Sequence, residues 1–145
     1  PLFLDYYERL LSSLDIMKQK KFRSCIRLTV IKDYNDTDVS GYQKLIERGD
    51  PDFIEVKAYM HVGASQKLLE RDNMPEHEYV KEFTNKLLEE LPNYEIIDDH
   101  RSSRVVCLMK KGMMRYIDFH AFFDIANSGG IASAMDYSSD KMCPN

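Results

Sequence analysis

The sequence is short of the residue types that mark several large classes of protein. Its 145 residues include no tryptophan, three cysteines, six glycines and five prolines. Cys25, Cys107 and Cys143 are widely separated, so no metal-binding CxxC spacing is present. An odd, scattered set of thiols is typical of a reducing compartment such as the cytoplasm. No apolar run approaches the roughly 18 residues that a membrane-spanning helix needs, and no secretory leader is recognisable.

An excess of positive charge is also missing. The chain carries 20 Lys and Arg against 24 Asp and Glu, for a formal net charge of −4, and it has no basic tail. Non-specific electrostatic capture of nucleic acid by this chain alone is therefore not expected. A hydrophobic fraction of 43% over this length predicts one globular domain with a substantial core.

What the sequence does contain is a stretch of strict apolar and polar alternation at 53–62. One face takes Ile54, Val56, Ala58, Met60 and Val62, and the other takes Glu55, Lys57, Tyr59 and His61. A period of two predicts a β-strand with one apolar face. The polar face is either the wall of a binding cavity or an ordinary solvated face, and the residues alone leave both interpretations open.

The sequence predicts one βαβ unit, made of a strand at 24–32, a helix near 38–48 and the strand at 53–60. The connections are short, and Gly49 and Pro51 end the helix. Such strands are parallel and adjacent, with the helix on their apolar face. A doubly wound sheet would make both faces apolar. The polar second face therefore favours a barrel or half-barrel.

The remaining elements follow from the same reasoning. A helix is predicted at 2–20. A second long helix begins near Pro75, with Val80, Phe83, Leu87 and Leu91 as its buried stripe. Two strands at 94–97 and 104–109, a third at 114–119, a helix at 120–126 and a loose tail complete the prediction.

Several stretches, taken in order, resemble one family, the radical S-adenosylmethionine tRNA 4-demethylwyosine synthases of wybutosine synthesis. The similarity runs from about Pro1 to Phe123 and is most specific between Pro51 and Gly63. The stretches that carry it are 27–32, Asn35, 51–63, 73–75, 103–106 and 116–119.

The resemblance implies an α/β fold, namely the last two βα units of a partial (β/α)6 barrel with a C-terminal antiparallel strand and helix extension. Residues 1–63 would belong to the barrel, 64–127 to the wyosine-base-formation extension that closes it, and 128–145 to the tail. It also implies a [4Fe-4S] cluster, S-adenosylmethionine, and condensation of pyruvate carbons with N1-methylguanosine-37 of phenylalanine tRNA. The partners would be the missing N-terminal half of the barrel and, in some members, a flavodoxin-like reductase domain.

The CxxxCxxC loop that holds the cluster in this family is absent from the sequence, so this chain is expected to be inactive alone. By resemblance and strand position, Lys57 and Lys32 are the candidates for catalysis and for the pyruvate carboxylate. Arg101 and Arg104 are the candidates for tRNA phosphate. The candidates for lining the cofactor site are Thr29, Asn35, Glu55, Tyr59, His61, Gly63 and Ser65.

Simpler structural roles compete with each of these assignments. Glu55 and Lys57 could form a plain ion pair, His61 could be a satisfied polar residue, and His77 is expected to be solvated. A different function class also stays open: a non-enzymatic α/β binding or interaction module. A half-barrel without its other half exposes a strand edge, which predicts self-association or cover by the chain's own C-terminal segments.

Overall fold

The structure, a computed structural model, describes residues 3–20 and 22–137, without the side chains of residues 134 and 135. Its helices are α1 Tyr6–Lys18, α2 Val39–Gly49, α3 His77–Glu90, α4 Phe119–Asn127 and α5 Ala134–Tyr137. Its strands are β1 Cys25–Val30, β2 Phe53–Ala58, β3 Tyr94–His100 and β4 Val105–Lys110. Short 3₁₀ turns span Gly63–Lys67, Arg71–Asn73 and Arg101–Ser103.

The strands form one mixed sheet in the order β1-β2-β4-β3. β1 and β2 are parallel, with Ile26 opposite Ile54 and Thr29 opposite Lys57. β4 is antiparallel to both β2 and β3. The predicted pair of adjacent parallel strands is confirmed, and so is the antiparallel hairpin that follows.

Helices α2 and α3 cover the apolar face of the sheet. Ile54, Val56, Val106 and Leu108 on that face have no exposed surface, and they pack in one cluster with residues of both helices. Full burial of such side chains stabilises the fold by about 1.5–3 kcal/mol each. The predicted stripe of α3, which includes Phe83, is confirmed as part of this core.

The opposite side of the sheet, here called the open face, carries Arg27, Thr29, Glu55, Lys57 and Cys107. These residues alternate with the buried positions of β1, β2 and β4, and each is partly or fully exposed. The alternation in the sequence therefore gives the correct sidedness for β1 and β2, whereas in β4 Met109 is buried as well as Val106 and Leu108.

The strand predicted at 53–60 ends earlier in the structure. β2 stops at Ala58 rather than residue 60, and Tyr59 is buried whereas Met60 and Val62 are exposed. Tyr59 N donates to Val30 O at 2.8 Å, and Val30 is the last residue of β1. Beyond that bond β2 has no neighbouring strand to pair with, so the chain turns and the alternation ends.

The predicted third strand at 114–119 is wrong. The backbone there is irregular, because its carbonyl oxygens accept from the guanidinium of Arg23 instead of from a strand: Arg23 donates to Met114 O at 2.6 Å and to Tyr116 O at 3.4 Å.

The predicted loose tail is interrupted by the short helix α5, and residues 138–145, with Cys143, lie outside the described part. Within the described ranges, no helix combines the length and apolar character needed to cross a membrane.

Candidate functional site

The candidate residues gather where β1 and β2 end, at an edge of the sheet we call the upper edge. It comprises the loop after Val30, the segment after Ala58, the start of α3 and the turn Arg101–Ser103. Parallel strands ending together bring their following loops together, which is why α/β folds place ligands at this edge.

Lys57 lies on the open face close to this edge. Its Nζ donates to the carbonyl oxygen of Ser103 at 3.0 Å. Glu55 pairs with Arg27 instead, with 2.6 Å between Nε and Oε2, so the alternative of a Glu55–Lys57 ion pair is wrong. An ammonium has three donors, and one of them is engaged by the turn. The contact fixes the side chain and leaves two donors for a ligand.

Tyr59, His61 and Ser65 form a hydrogen-bonded cluster just past β2. The Tyr59 hydroxyl donates to Ser65 Oγ at 3.0 Å and lies 3.2 Å from His61 Nδ1. Ser65 Oγ in turn donates to Val62 O at 2.6 Å. Gly63 has φ +62°, a left-handed conformation that favours glycine and lets the chain turn back. The structure brings these four predicted residues together.

Asn35 and Thr29 are placed differently from the cluster. Asn35 Oδ1 accepts from Ile31 N at 2.7 Å and its Nδ2 donates to Thr29 O at 2.9 Å. Its amide is thus engaged in closing the loop after β1. The Thr29 side chain is exposed on the open face, next to Lys57 in the parallel register.

Three consecutive residues at the start of α3 hold the hairpin that carries Arg101 and Arg104. The pairs are Glu76 with Arg104 at 3.2 Å, His77 with Asp99 at 2.6 Å and Glu78 with Arg101 at 2.9 Å. An exposed pair such as Glu78–Arg101 contributes little by itself. Together the three pairs fix the position of the turn whose Ser103 carbonyl holds Lys57.

The prediction that His77 is solvated is wrong. It is 4% exposed, and its Nε2 lies 2.6 Å from Asp99 Oδ2. The hydrogen bond from His77 lowers the pKa of the Asp99 carboxyl below its ordinary value. The spacing of His77, Val80, Thr84 and Leu87 places all four on the buried face of α3. That helical period is the sequence signal that identifies the histidine as buried.

A cleft of about 440 Å³ opens at the upper edge on the helix side of the sheet. We call it the cationic cleft. It is lined by Lys32, Arg71, Asp72, Met74, Pro75, Glu76, Tyr79 and Arg104. Sequence reasoning found Lys32 and Arg104 but missed Arg71, because only the fold brings its 3₁₀ turn beside them. A slightly larger cleft of about 500 Å³ at the opposite edge includes Lys18, Asp50 and Lys110, but Lys110 there is already paired with Asp50 at 2.9 Å.

One wall of the cationic cleft is a phenol fixed by a carboxylate. The Tyr79 hydroxyl donates to Asp36 Oδ2, and this bond raises the pKa of Tyr79 to about 12. Burial alone would raise the pKa of Asp36, but the bonds from Tyr79 and from the Asp33 amide outweigh it and lower that pKa. Tyr79 is therefore a neutral wall, and the loop after β1 is tied to α3.

Comparison with known proteins now decides the family. Residues 48–110 match the family described as wyosine base formation. The S-adenosyl-L-methionine-dependent tRNA 4-demethylwyosine synthase of Methanocaldococcus jannaschii is 46% identical over 107 residues, covering 74% of this chain and 33% of that protein. The human synthase TYW1 is 33% identical over 150 residues, covering 94% of this chain and 20% of that protein.

The chain belongs to the tRNA 4-demethylwyosine synthase family. A solved structure of TYW1 with a lysine-pyruvate adduct bound superposes with a TM-score of 0.65 at 40% identity, covering 75% of this chain and 34% of that one. The crystal structure of archaeal TYW1 gives a TM-score of 0.59 at 37% identity, covering 74% of this chain and 33% of that one. This synthase-family chain thus spans between 20% and 34% of the length of these relatives.

The two cysteines in the described part of this synthase-family chain do not fit an iron–sulfur site. Cys25 and Cys107 lie on β1 and β4, on either side of β2. Burial, and then the charge of Glu55, raises the pKa of Cys25, while burial raises that of Cys107. Thiolates are the cluster ligands, and a raised pKa disfavours the thiolate form at both positions. Among residues 3–20 and 22–137, no group of three His, Cys, Asp or Glu side chains is placed to hold a metal ion.

Proposed function

We propose that this chain forms one side of the active site of a tRNA 4-demethylwyosine synthase. The intact enzyme would condense pyruvate carbons with N1-methylguanosine-37 of phenylalanine tRNA in the cytoplasm, as a radical S-adenosylmethionine lyase. The observation that carries this is the 46% identity over 107 residues to a protein of that name, together with the match to a structure bearing a lysine-pyruvate adduct.

The proposed architecture is the last two βα units of a partial (β/α)6 barrel, with residues 1–63 in the barrel, 64–127 closing it and 128–145 as a tail. Two features support it: the sheet has one polar face, and β1 lies at its end, where the strand before it in a barrel would pair. The N-terminal half of the barrel would provide that strand and the cluster ligands. A flavodoxin-like reductase domain would supply electrons.

Within this site Lys57 is the proposed contact for the pyruvate carboxylate. It lies on the open face, is fixed by Ser103, and keeps donors for a charge-assisted bond. Lys32 is the second lysine at this edge, but it lines the cationic cleft rather than the open face. It is therefore the weaker candidate for pyruvate.

The proposed cofactor wall consists of Thr29 and Glu55 on the open face and the Tyr59, His61, Gly63 and Ser65 turn beyond it. Its hydroxyl, imidazole and carboxylate groups suit the ribose and the amino-acid part of S-adenosylmethionine. When bound, that cofactor and its cluster supply a 5′-deoxyadenosyl radical. The residues of this chain would bind and orient S-adenosylmethionine and exclude water from it. Asn35 contributes by holding the loop after β1.

The test of the proposed function is ring formation by the intact protein that carries this chain. Phenylalanine tRNA with N1-methylguanosine-37 is incubated with S-adenosylmethionine, a reductant and pyruvate labelled with carbon-13, and its nucleosides are analysed by mass spectrometry. We expect 4-demethylwyosine that carries the label and is absent without pyruvate. If N1-methylguanosine is not consumed above background by a protein whose cluster is spectroscopically intact, the result would favour the non-enzymatic module instead.

A further inference from the structure

We propose that Arg71, together with Lys32, holds a phosphodiester of the tRNA in the cationic cleft. Arg71 is then a substrate-positioning residue that acts apart from the pyruvate site. This inference rests on the proposed function, because it takes tRNA as the substrate.

The backbone that carries the two cations is built as one unit. Lys32 N donates to Asn73 O at 3.0 Å, and Asn73 Nδ2 donates to Lys32 O at 3.1 Å. Asn73 Oδ1 also accepts from Glu70 N at 2.9 Å, which closes the turn that contains Arg71. This reciprocal pairing fixes the distance between the loop after β1 and the Arg71 turn. A site assembled before the ligand arrives loses less conformational entropy on binding.

The charge in the cleft is not neutralised from within. Three cations line it, Lys32, Arg71 and Arg104, against the two acids Asp72 and Glu76. Arg104 is already paired with Glu76 at 3.2 Å. Among the described residues, the side chains of Lys32 and Arg71 make no ion pair within 4.0 Å and no hydrogen bond, although Lys32 is near enough to Asp36 to lower the pKa of that carboxyl. A local positive site thus exists in a chain whose net charge is −4.

The chemistry of an arginine beside a lysine suits an oxyanion, either a phosphate or a carboxylate. The cleft's position favours the phosphodiester. It opens on the helix side of the upper edge, whereas Lys57 and the proposed pyruvate site lie on the open face. Its volume of about 440 Å³ leaves room for a backbone segment, and the exposed Arg101 is at the same edge. Backbone phosphates are the usual partners of such cations in nucleic-acid recognition.

The experiment compares Arg71→Ala with Lys44→Ala in the intact synthase that carries this chain. Lys44 is an exposed lysine of α2 that does not line the cleft, so it removes the same charge elsewhere. Affinity for phenylalanine tRNA is measured by fluorescence anisotropy from about 50 to 200 mM salt, and the KM for pyruvate is measured at saturating tRNA. For Arg71→Ala we expect about tenfold weaker tRNA binding and a salt slope smaller by roughly one. The pyruvate KM should stay unchanged, and Lys44→Ala should match the parent protein.

Each alternative result is informative. Unchanged tRNA affinity and salt slope in Arg71→Ala overturns the inference, and so does an equal loss in Lys44→Ala. A raised pyruvate KM with normal tRNA binding assigns the cleft to a small carboxylate and overturns the phosphodiester assignment. If the parent protein binds tRNA but forms no ring, the proposed function fails, whereas a reduced salt slope in Arg71→Ala still supports the phosphate contact. Arg71→Lys, which keeps the charge, should restore most of the slope, and its failure to do so counts against a charge-based role.

Discussion

Replacing Lys57 by alanine in the intact synthase is expected to weaken pyruvate binding by about tenfold to a hundredfold, because a charge-assisted hydrogen bond to a bound carboxylate typically contributes about 1.5–3 kcal/mol. The ammonium lies on the open face and is held by the Ser103 carbonyl at 3.0 Å. Loss of that contact also frees one end of the turn Arg101–Ser103. The measurement is the pyruvate dependence of ring formation, with the melting temperature recorded in parallel.

The control for Lys57 is Lys67→Ala, which removes an exposed lysine from the 3₁₀ turn Gly63–Lys67. Lys57→Arg keeps the charge and should recover part of the pyruvate affinity. A large fall in melting temperature with normal pyruvate dependence would make Lys57 an anchor for the hairpin alone. That result would withdraw it from the proposed pyruvate site.

Replacing Leu108 by alanine is expected to lower the free energy of unfolding by about 2–5 kcal/mol, the usual range for a buried leucine. Leu108 has no exposed surface and lies opposite Ile54 at the centre of the sheet, where β2 and β4 meet. The truncation leaves a cavity beneath α3, which packs on both strands. The midpoint of urea unfolding measures the effect.

The matched control for Leu108 is its neighbour Cys107, whose side chain points to the open face and is only half-buried. Cys107→Ala should cost less than Leu108→Ala, because fewer packing contacts are lost. Equal costs at the two positions would contradict the assignment of one apolar and one open face.

The βαβ unit was predictable because its signals are local. The alternation at 53–58 states which side of β2 is buried, and Gly49 with Pro51 marks the end of α2. The cluster of Tyr59, His61 and Ser65 was also within reach, since a strand end followed by glycine brings near neighbours in sequence together. The strand predicted from this alternation is longer than β2, because the sequence does not show where the partner strands of β2 end.

The rest depends on contacts between distant residues. The strand predicted at 114–119 does not form, because Arg23, about ninety residues earlier in the chain, donates hydrogen bonds to its carbonyl oxygens. Glu55 lies two residues from Lys57 in the sequence, yet its partner is Arg27 on the neighbouring strand. No motif in the sequence marks Arg71 as a candidate. It can be recognised only in the folded chain, where its turn lies against Lys32.

The most direct test of the central claim is an exchange between synthases. The matched segment of the Methanocaldococcus jannaschii enzyme, 107 residues at 46% identity, is replaced by the corresponding residues of this chain, and ring formation on phenylalanine tRNA is measured. We predict that the chimera still forms 4-demethylwyosine from pyruvate, and that Lys57→Ala within the exchanged segment raises its pyruvate requirement. A chimera that folds, keeps its cluster and binds S-adenosylmethionine, yet forms no tricyclic base, would contradict the claim that this chain supplies one side of the active site.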